Sequence, residues 1–197
     1  GFAKSSIVTG KSMEDQKESV LATTNSIRVQ TGIALNYKDI LEKSAKVTGQ
    51  IRAQMGGSVE EIGKAVAVAA SLGLELDQVA KSGESMLNFQ SSIESELEAE
   101  LLTGKELNLE KARMLALTGD YAGLAKEMTK EAGNFTEFSK MNVLQQNALA
   151  KSFGMSSNEM SDMLMQQEMM GKSAEQLRSE GKGDLADRME ARNVEEQ

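Results

Sequence analysis

Four glutamates at alternate positions, Glu94, Glu96, Glu98 and Glu100, form the densest set of chemically capable side chains in this 197-residue sequence. A carboxylate di-metal site built on facing helices pairs Glu with His three residues on, because the imidazole completes the ligand set on the same helix face. The sequence contains no histidine. That absence also removes catalytic triads, most zinc sites and the usual general base. There is no cysteine, which excludes thiolate chemistry and a disulfide framework. The glutamate run therefore reads as a solvated acidic face, with no metal and no cofactor.

Other chemistries fare no better. Ala80-Lys81-Ser82-Gly83 and Thr103-Gly104-Lys105 set Gly near Lys, but neither follows a strand or completes the Gly-x4-Gly-Lys-[Ser/Thr] frame of a phosphate loop. A net charge of −8 argues against a surface that neutralises nucleic-acid phosphates. A pair of carboxylates suffices for glycoside hydrolysis, yet none here sits in an evident apolar pocket that would keep one of them protonated. The chain reads as a non-enzyme. Met155, Met160, Met163, Met165, Met169 and Met170 spread too widely round a helix to make one core stripe. Methionine adapts to irregular partners, so two readings stand: ordinary core with some exposure, or a surface for self-association.

What must position these residues is helical. There is no proline to break helices and no alternating apolar run bounded by turn signals, so the fold class is all-α. The expected architecture is a multi-helix bundle of helix–corner–helix units joined by short Gly/Asn turns. A first helix spans about 12–30, opened by Ser12 with Asp15. Its apolar seam is Met13, Val20 and Ile27. Ser58 with Glu61 opens an Ala/Val-rich helix over 59–71 that reads as buried. A long central helix over about 78–102 follows, opened by Asp77 and closed at Thr103-Gly104. Its residues Met86, Phe89, Ile93, Leu97 and Leu101 recur at steps of three and four, which places them along one face. Phe89 and Tyr121 read as core anchors. Asn142 with Gln145, and Ser156 with Glu159, open two later helices.

Four corners share a spacing. Gly32/Asn36, Gly73/Asp77, Gly104/Asn108 and Gly154/Asn158 each set Asn or Asp four residues after Gly. Glycine ends a helix in the left-handed conformation without a Cβ penalty, and Asn or Asp caps the next. Leu35, Leu76 and Leu107 lie between them as apolar anchors. The intervals differ, so this is no fixed-period solenoid. The expected division is 1–72 as N-terminal helices, 73–171 as a central bundle, and 172–197 as a polar tail continuing into a longer chain. The most apolar run, residues 65–74, is about half of the roughly 20 residues a membrane span needs. The sequence begins Gly1-Phe2 and ends within a charged helical pattern, so it reads as an excerpt from a longer polypeptide.

Three phrases carry a resemblance: TGKSMEDQKESVLATTNSI, FSKMNVLQQNALAKSFGMS, and the run from Gly73 to Tyr121. Within the last, Glu96–Arg113 (E-x-E-A-E-L-L-T-G-K-x-L-N-L-E-x-A-R, here ELEAELLTGKELNLEKAR) and Ala116–Tyr121 (ALTGDY) are the most distinctive. Together they resemble the helical region of bacteriophage tail tape measure proteins, particularly those of marine tailed phages, over about residues 9–165. The resemblance implies a structural virion protein, assembled in the host cytoplasm and present in several copies inside the tail tube. Such proteins template tube length and leave ahead of the DNA, and their partners are tail-tube and tail-tip (baseplate hub) proteins. Some carry cell-wall-cleaving domains. A measuring rod should be one continuous helix at about 1.5 Å per residue, whereas glycine corners interrupt this chain. The segment therefore reads as a folded portion of such a protein.

A second reading is a soluble helical-repeat adaptor. Residues 112–132 resemble one tetratricopeptide-type helical pair at their Gly-Asp-Tyr corner, but only one such unit is present, without the period of about 34 residues an array needs. Either way the expectation is association of several copies. The surfaces that would serve are Met86, Phe89, Ile93, Leu97 and Leu101, or the methionine-rich helix through Met160, Met163 and Met170. No sequence-specific nucleic-acid contact and no membrane span are expected in this segment.

Overall fold

A computed structural model describes residues 13–187, apart from 32, 34, 171, 173, 184 and 185. The described residues form twelve helices and no strand. They are α1 (Met13–Thr31), α2 (Tyr37–Lys46), α3 (Gly49–Gln54), α4 (Val59–Ser71), α5 (Leu76–Met86), α6 (Phe89–Thr103), α7 (Glu110–Thr118), α8 (Tyr121–Ala132), α9 (Phe135–Lys140), α10 (Val143–Ser152), α11 (Ser157–Met169) and α12 (Ala174–Ser179). The all-α expectation holds, as a bundle of short helices.

Each break has a local chemical cause. Asn36, Thr48, Ser58, Asp120, Asn134, Asn142 and Ser156 each accept a first-turn N–H through the side chain, satisfying a donor that has no partner within the helix. At Asn142 and Ser156 the third helical residue returns the bond, completing the boxes expected from Gln145 and Glu159.

The core is organised around α4. Nine of its residues are buried, among them Ile62, Val66 and Val68, and it packs against α1, α2, α5 and α8. Contact with α1 is close because Gly63 has no side chain. A Cβ there would lie 2.6 Å from Val20 Cγ2. The apolar cluster runs unbroken from Val20 to Leu164, so residue 72 does not separate two cores. A small satellite of Met169, Leu177 and Ala186 seats α12, with Phe135 packed against it.

The expected long helix over 78–102 is two helices. Helix α5 stops at Met86, Leu87 and Asn88 turn the chain, and α6 starts at Phe89. Helix propensity and apolar spacing run smoothly through the junction. The turn lets Met86 enter the core while α6 leans on α10 instead.

The four-residue corner rule holds for its three described glycines and for one of its four caps. Gly73, Gly104 and Gly154 have φ of 73°, 69° and 67°, the left-handed region where a Cβ is penalised. Gly32 lies outside the described residues, as does Ser12, while Asn36 caps α2. Asp77 and Asn158 sit inside the first turns of α5 and α11, which start earlier. Glu75 precedes α5 and donates its N–H to Gln78 Oε1 at 3.0 Å, and Ser156 opens α11. Asn108 lies one residue before the N-cap of α7, Leu109, whose N–H is taken by Glu96 of α6. Leu76 and Leu107 are buried as anchors, and Leu35 is partly buried.

Candidate functional site: an uncovered apolar face on α6 and α7

Helix α6 is packed inside out relative to its sequence. Its buried residues are Ser92, Ser95 and Ala99, which face α10. Small side chains there let the two backbones approach, much as Ala148 and Ala150 do from α10. The large apolar residues lie on the other side. Phe89 is 48% exposed, Ile93 46%, Leu97 59% and Leu101 86%. Of the expected face only Met86 is buried, and it belongs to α5. Phe89 is thus not a core anchor, whereas Tyr121 is, and its hydroxyl donates to Gln54 Oε1 at 2.6 Å.

Helix α7 extends this surface with Met114 and Leu117, both mostly exposed. Between α6 and α7 lies an open groove of about 530 Å³ whose apolar lining is Phe89, Ile93, Met114 and Leu117. Glu110 and Asn108 also line it, with the paired Glu96 and Arg113. At the C-terminal end of α6, Gln145 Nε2 donates to the Leu102 carbonyl at 2.9 Å. Val143 and Leu144, at the start of α10, are also exposed. Exposed apolar residues are ordinary when scattered, but a contiguous set with a groove marks a surface adapted to contact.

The glutamate run beside this face is not simply solvated. Glu96 Oε1 accepts the Leu109 N–H at 2.8 Å, and Glu100 Oε1 accepts the Leu107 N–H at 2.8 Å. Between them, the Asn108 N–H donates to Glu131 Oε2 of α8 at 3.2 Å. Three consecutive N–H groups entering α7 thus each meet a carboxylate from another helix. The last of them, Leu109, is the N-cap, where a helix presents free donors and the positive end of its dipole; the other two lie in the connection before it. Glu96 Oε2 also accepts from Arg113 Nη1 at 2.7 Å and from Nη2, in a nearly buried pair. Glu98 pairs with Lys151 of α10 at 2.8 Å, and Glu94 accepts from Gln90. The corner closes with Thr103, whose Oγ1 donates to the Ala99 carbonyl and accepts the Lys105 N–H.

The distinctive string Glu96–Arg113 is therefore a clasp that holds itself. Glu96, Glu100 and Arg113 are engaged within it, while Glu110 stays exposed on the groove wall. Sequence reasoning missed it because the accepting carboxylates lie 7 to 23 positions from the N–H groups they meet. The available signal was Glu96 and Glu100 at i, i+4, which aims two carboxylates at one neighbour. A second clasp lies behind it. Glu127 of α8 is buried and binds Lys111 of α7 at 2.6 Å and Lys130 at 3.1 Å, and the hydrogen bond from Lys111, followed by that from Lys130, holds its carboxyl below the usual range.

The methionine-rich helix does not supply a comparable surface. Met160 and Met163 are buried in the main core and Met169 in the satellite, while Met170 is half-buried. A wider, polar groove of about 740 Å³ separates α2 from α11, and its Lys43 is tied to Asp39 and Glu75. Among the described residues no group of three or more acidic side chains is placed to hold a metal ion, and no helix is long and apolar enough to cross a membrane. No family model, no curated protein and no solved structure matches this chain.

Proposed function

We propose that this chain is a folded helical segment of a bacteriophage tail tape measure protein, a non-enzymatic virion component that works by helix–helix association. The observation that carries an association role is the uncovered face of Phe89, Ile93, Leu97, Leu101, Met114 and Leu117, which groups six of the eleven exposed large apolar residues among the described residues on two adjoining helices. Large apolar side chains held outward over three turns, while serines pack inward, are a costly arrangement for a domain with nothing to bind. The tail assignment is supported by the resemblance of Glu96–Arg113 and Ala116–Tyr121, whose self-clasped corner gives that string a structural reason to keep its residue types. On this reading the segment lies in the tail during assembly, contacts tube or tip proteins, and is released ahead of the genome.

The test is the size and place of the parent polypeptide. An antibody raised against this segment is used on purified particles and on infected-cell lysate after denaturing electrophoresis. A particle-associated band well above the 21.3 kDa of this segment, together with shorter tails when the parent chain is shortened, is the expected result. A band near that mass confined to soluble lysate would overturn it and favour a free helical adaptor.

A further inference from the structure

We propose that the α6–α7 groove receives an amphipathic helix of a partner protein that carries lysine or arginine beside its apolar stripe. This deepens the reading of the face as an association surface and does not depend on the tail assignment. Three observations select that occupant. The first is shape. Phe89, Ile93, Leu97 and Leu101 step by four residues, so the stripe runs roughly 18 Å along α6. Met114 and Leu117 form the opposite wall. The groove itself takes Phe89 and Ile93 from α6, and Leu97 and Leu101 continue the exposed stripe beyond it; anchors spaced by three or four residues on a partner helix match such a groove.

The second observation is charge. Glu94, on the outer flank of the stripe, and Glu110, on the α7 wall, are exposed, and neither has a lysine or arginine partner among the described residues. Cations nearby are already engaged: Arg113 by Glu96, Lys111 by Glu127 and Lys151 by Glu98. The trough therefore presents an apolar floor between unbalanced carboxylates. A partner helix with cations flanking its apolar stripe satisfies both.

The third observation disfavours a second copy of this chain. An isologous contact sets each patch against itself. That brings Glu94 and Glu110 of both copies into one interface, with Arg113 and Lys111 already engaged, on a chain of net charge −8, and like charges gathered there oppose association.

The experiment uses the full chain and three labelled synthetic helices, each of about 18 residues. One has leucine at i, i+3, i+4 and i+7 with lysine elsewhere. The second has glutamate in place of every lysine, and the third has serine in place of every leucine. Fluorescence anisotropy is read for the unaltered chain, for Ile93→Ser with Met114→Ser, and for Glu94→Gln with Glu110→Gln. All four positions are exposed, so these variants should fold, and circular dichroism checks that they do. The expected result is saturable binding of the leucine–lysine helix alone. Removing the two apolar side chains should weaken it at least about tenfold. Removing the two carboxylates should weaken it severalfold in low salt, with the difference vanishing near 1 M salt, where screening reaches about 3 Å.

Equal affinity of all three proteins for the leucine–lysine helix would mean bulk attraction to an acidic chain and would overturn the proposal. Tighter binding of the glutamate helix would do the same. Sedimentation showing a dimer of the chain alone, lost in Ile93→Ser with Met114→Ser, would assign the face to a second copy, leaving it an association surface with a different occupant. No binding of any helix and no dimer would sink the association reading as well.

Discussion

Helices α4 and α6 have similar lengths and both look amphipathic enough to enter a core, yet the bundle treats them in opposite ways. In α4 nearly everything is inside, and the two glutamates of its first turn stay at the rim. In α6 the inward residues are Ser92, Ser95 and Ala99, while four large apolar side chains point out. The difference comes from what each helix must meet. Helix α4 packs against α1, α2, α5 and α8, which leaves only Glu60, Glu61 and Lys64 exposed, and Gly63, Ala65, Ala67 and Ala69 let the neighbours close in. Helix α6 has one principal neighbour, α10, and a polar clasp to α7. Its position is fixed by small-residue contact and hydrogen bonds, which leaves its apolar side uncommitted. Hydrophobicity alone does not say which face of a helix is inside. Neighbour geometry does.

The sharpest way to break this comparison is to make the same change in both helices. Ile62 is fully buried in α4 and Ile93 is about half exposed in α6. Ile62→Ala should lower unfolding free energy by roughly 2–5 kcal/mol, the range for a buried large-to-small change with its cavity. Ile93→Ala should change it by no more than about 0.5 kcal/mol, as for surface sites away from special features. Urea unfolding of the two variants decides it. Comparable losses would mean that α6 buries its apolar stripe in the free chain, and the association face would not exist.

If α6 is held by its clasp, removing the clasp should matter more than removing an outward apolar group. Glu96→Gln leaves the nearly buried Arg113 without its counter-charge and weakens the acceptor at the start of α7. The expected loss is about 2 kcal/mol or more, below the 3–5 kcal/mol of a fully buried broken pair because both side chains keep some solvent contact. Glu98→Gln, whose partner Lys151 is largely exposed, should cost under about 1 kcal/mol. If the two losses are alike, the glutamate run is an ordinary solvated face after all.

These two helices also mark what could be read from the sequence. The Ala/Val run, with Ser58 ahead of it, reads as a buried helix because apolarity on every face leaves no alternative. The stops at Gly73, Gly104 and Gly154 are legible because a left-handed end needs a residue without Cβ. Three things were not legible. The break at Leu87-Asn88 carries no Gly or Pro, and its one local signal is Asn88 at the N-cap of α6, a single polar residue within an otherwise continuous helical pattern. The N–H groups leading into α7 are taken by Glu96, Glu100 and Glu131, and such non-local partners leave no fixed spacing. The inversion of α6 depends on α10, whose small residues lie some 50 positions downstream.

The clasped side should also respond to acid in a way the α4 side does not, since the buried residues of α4 include no charged group. Glu127 has its carboxyl held low chiefly by the hydrogen bond from Lys111 and next by that from Lys130. A carboxyl whose folded value is depressed adds stability above the ordinary glutamate value of 4.5, and that stability is lost as pH falls through the lower folded value. The urea midpoint of Glu127→Gln should therefore lie below that of the unaltered chain near pH 7. The gap should narrow as pH drops from about 4.5 towards 3. A gap constant across that window would show that the substitution acts through packing and not through charge.

The smallest effect concerns the buried side of α6. Ser92 Oγ is buried against α10 and has no hydrogen-bond partner. A hydroxyl removed from water without a new bond is a net cost, and serine is also a weaker helix former than alanine. Ser92→Ala keeps the side chain small enough for the close approach to α10 and removes both penalties. It should leave the fold unchanged and raise stability by up to about 1 kcal/mol. Ser92→Leu, in contrast, would put a large apolar group where the sequence pattern of a core helix would want one, and should destabilise by about 1–3 kcal/mol through overpacking. Opposite signs for alanine and leucine at one position would establish that steric closeness to α10, and not burial of apolar area, sets which way α6 faces. If leucine stabilised instead, there would be room on that side for a conventional apolar interface, and the outward display of Phe89, Ile93, Leu97 and Leu101 would need another cause.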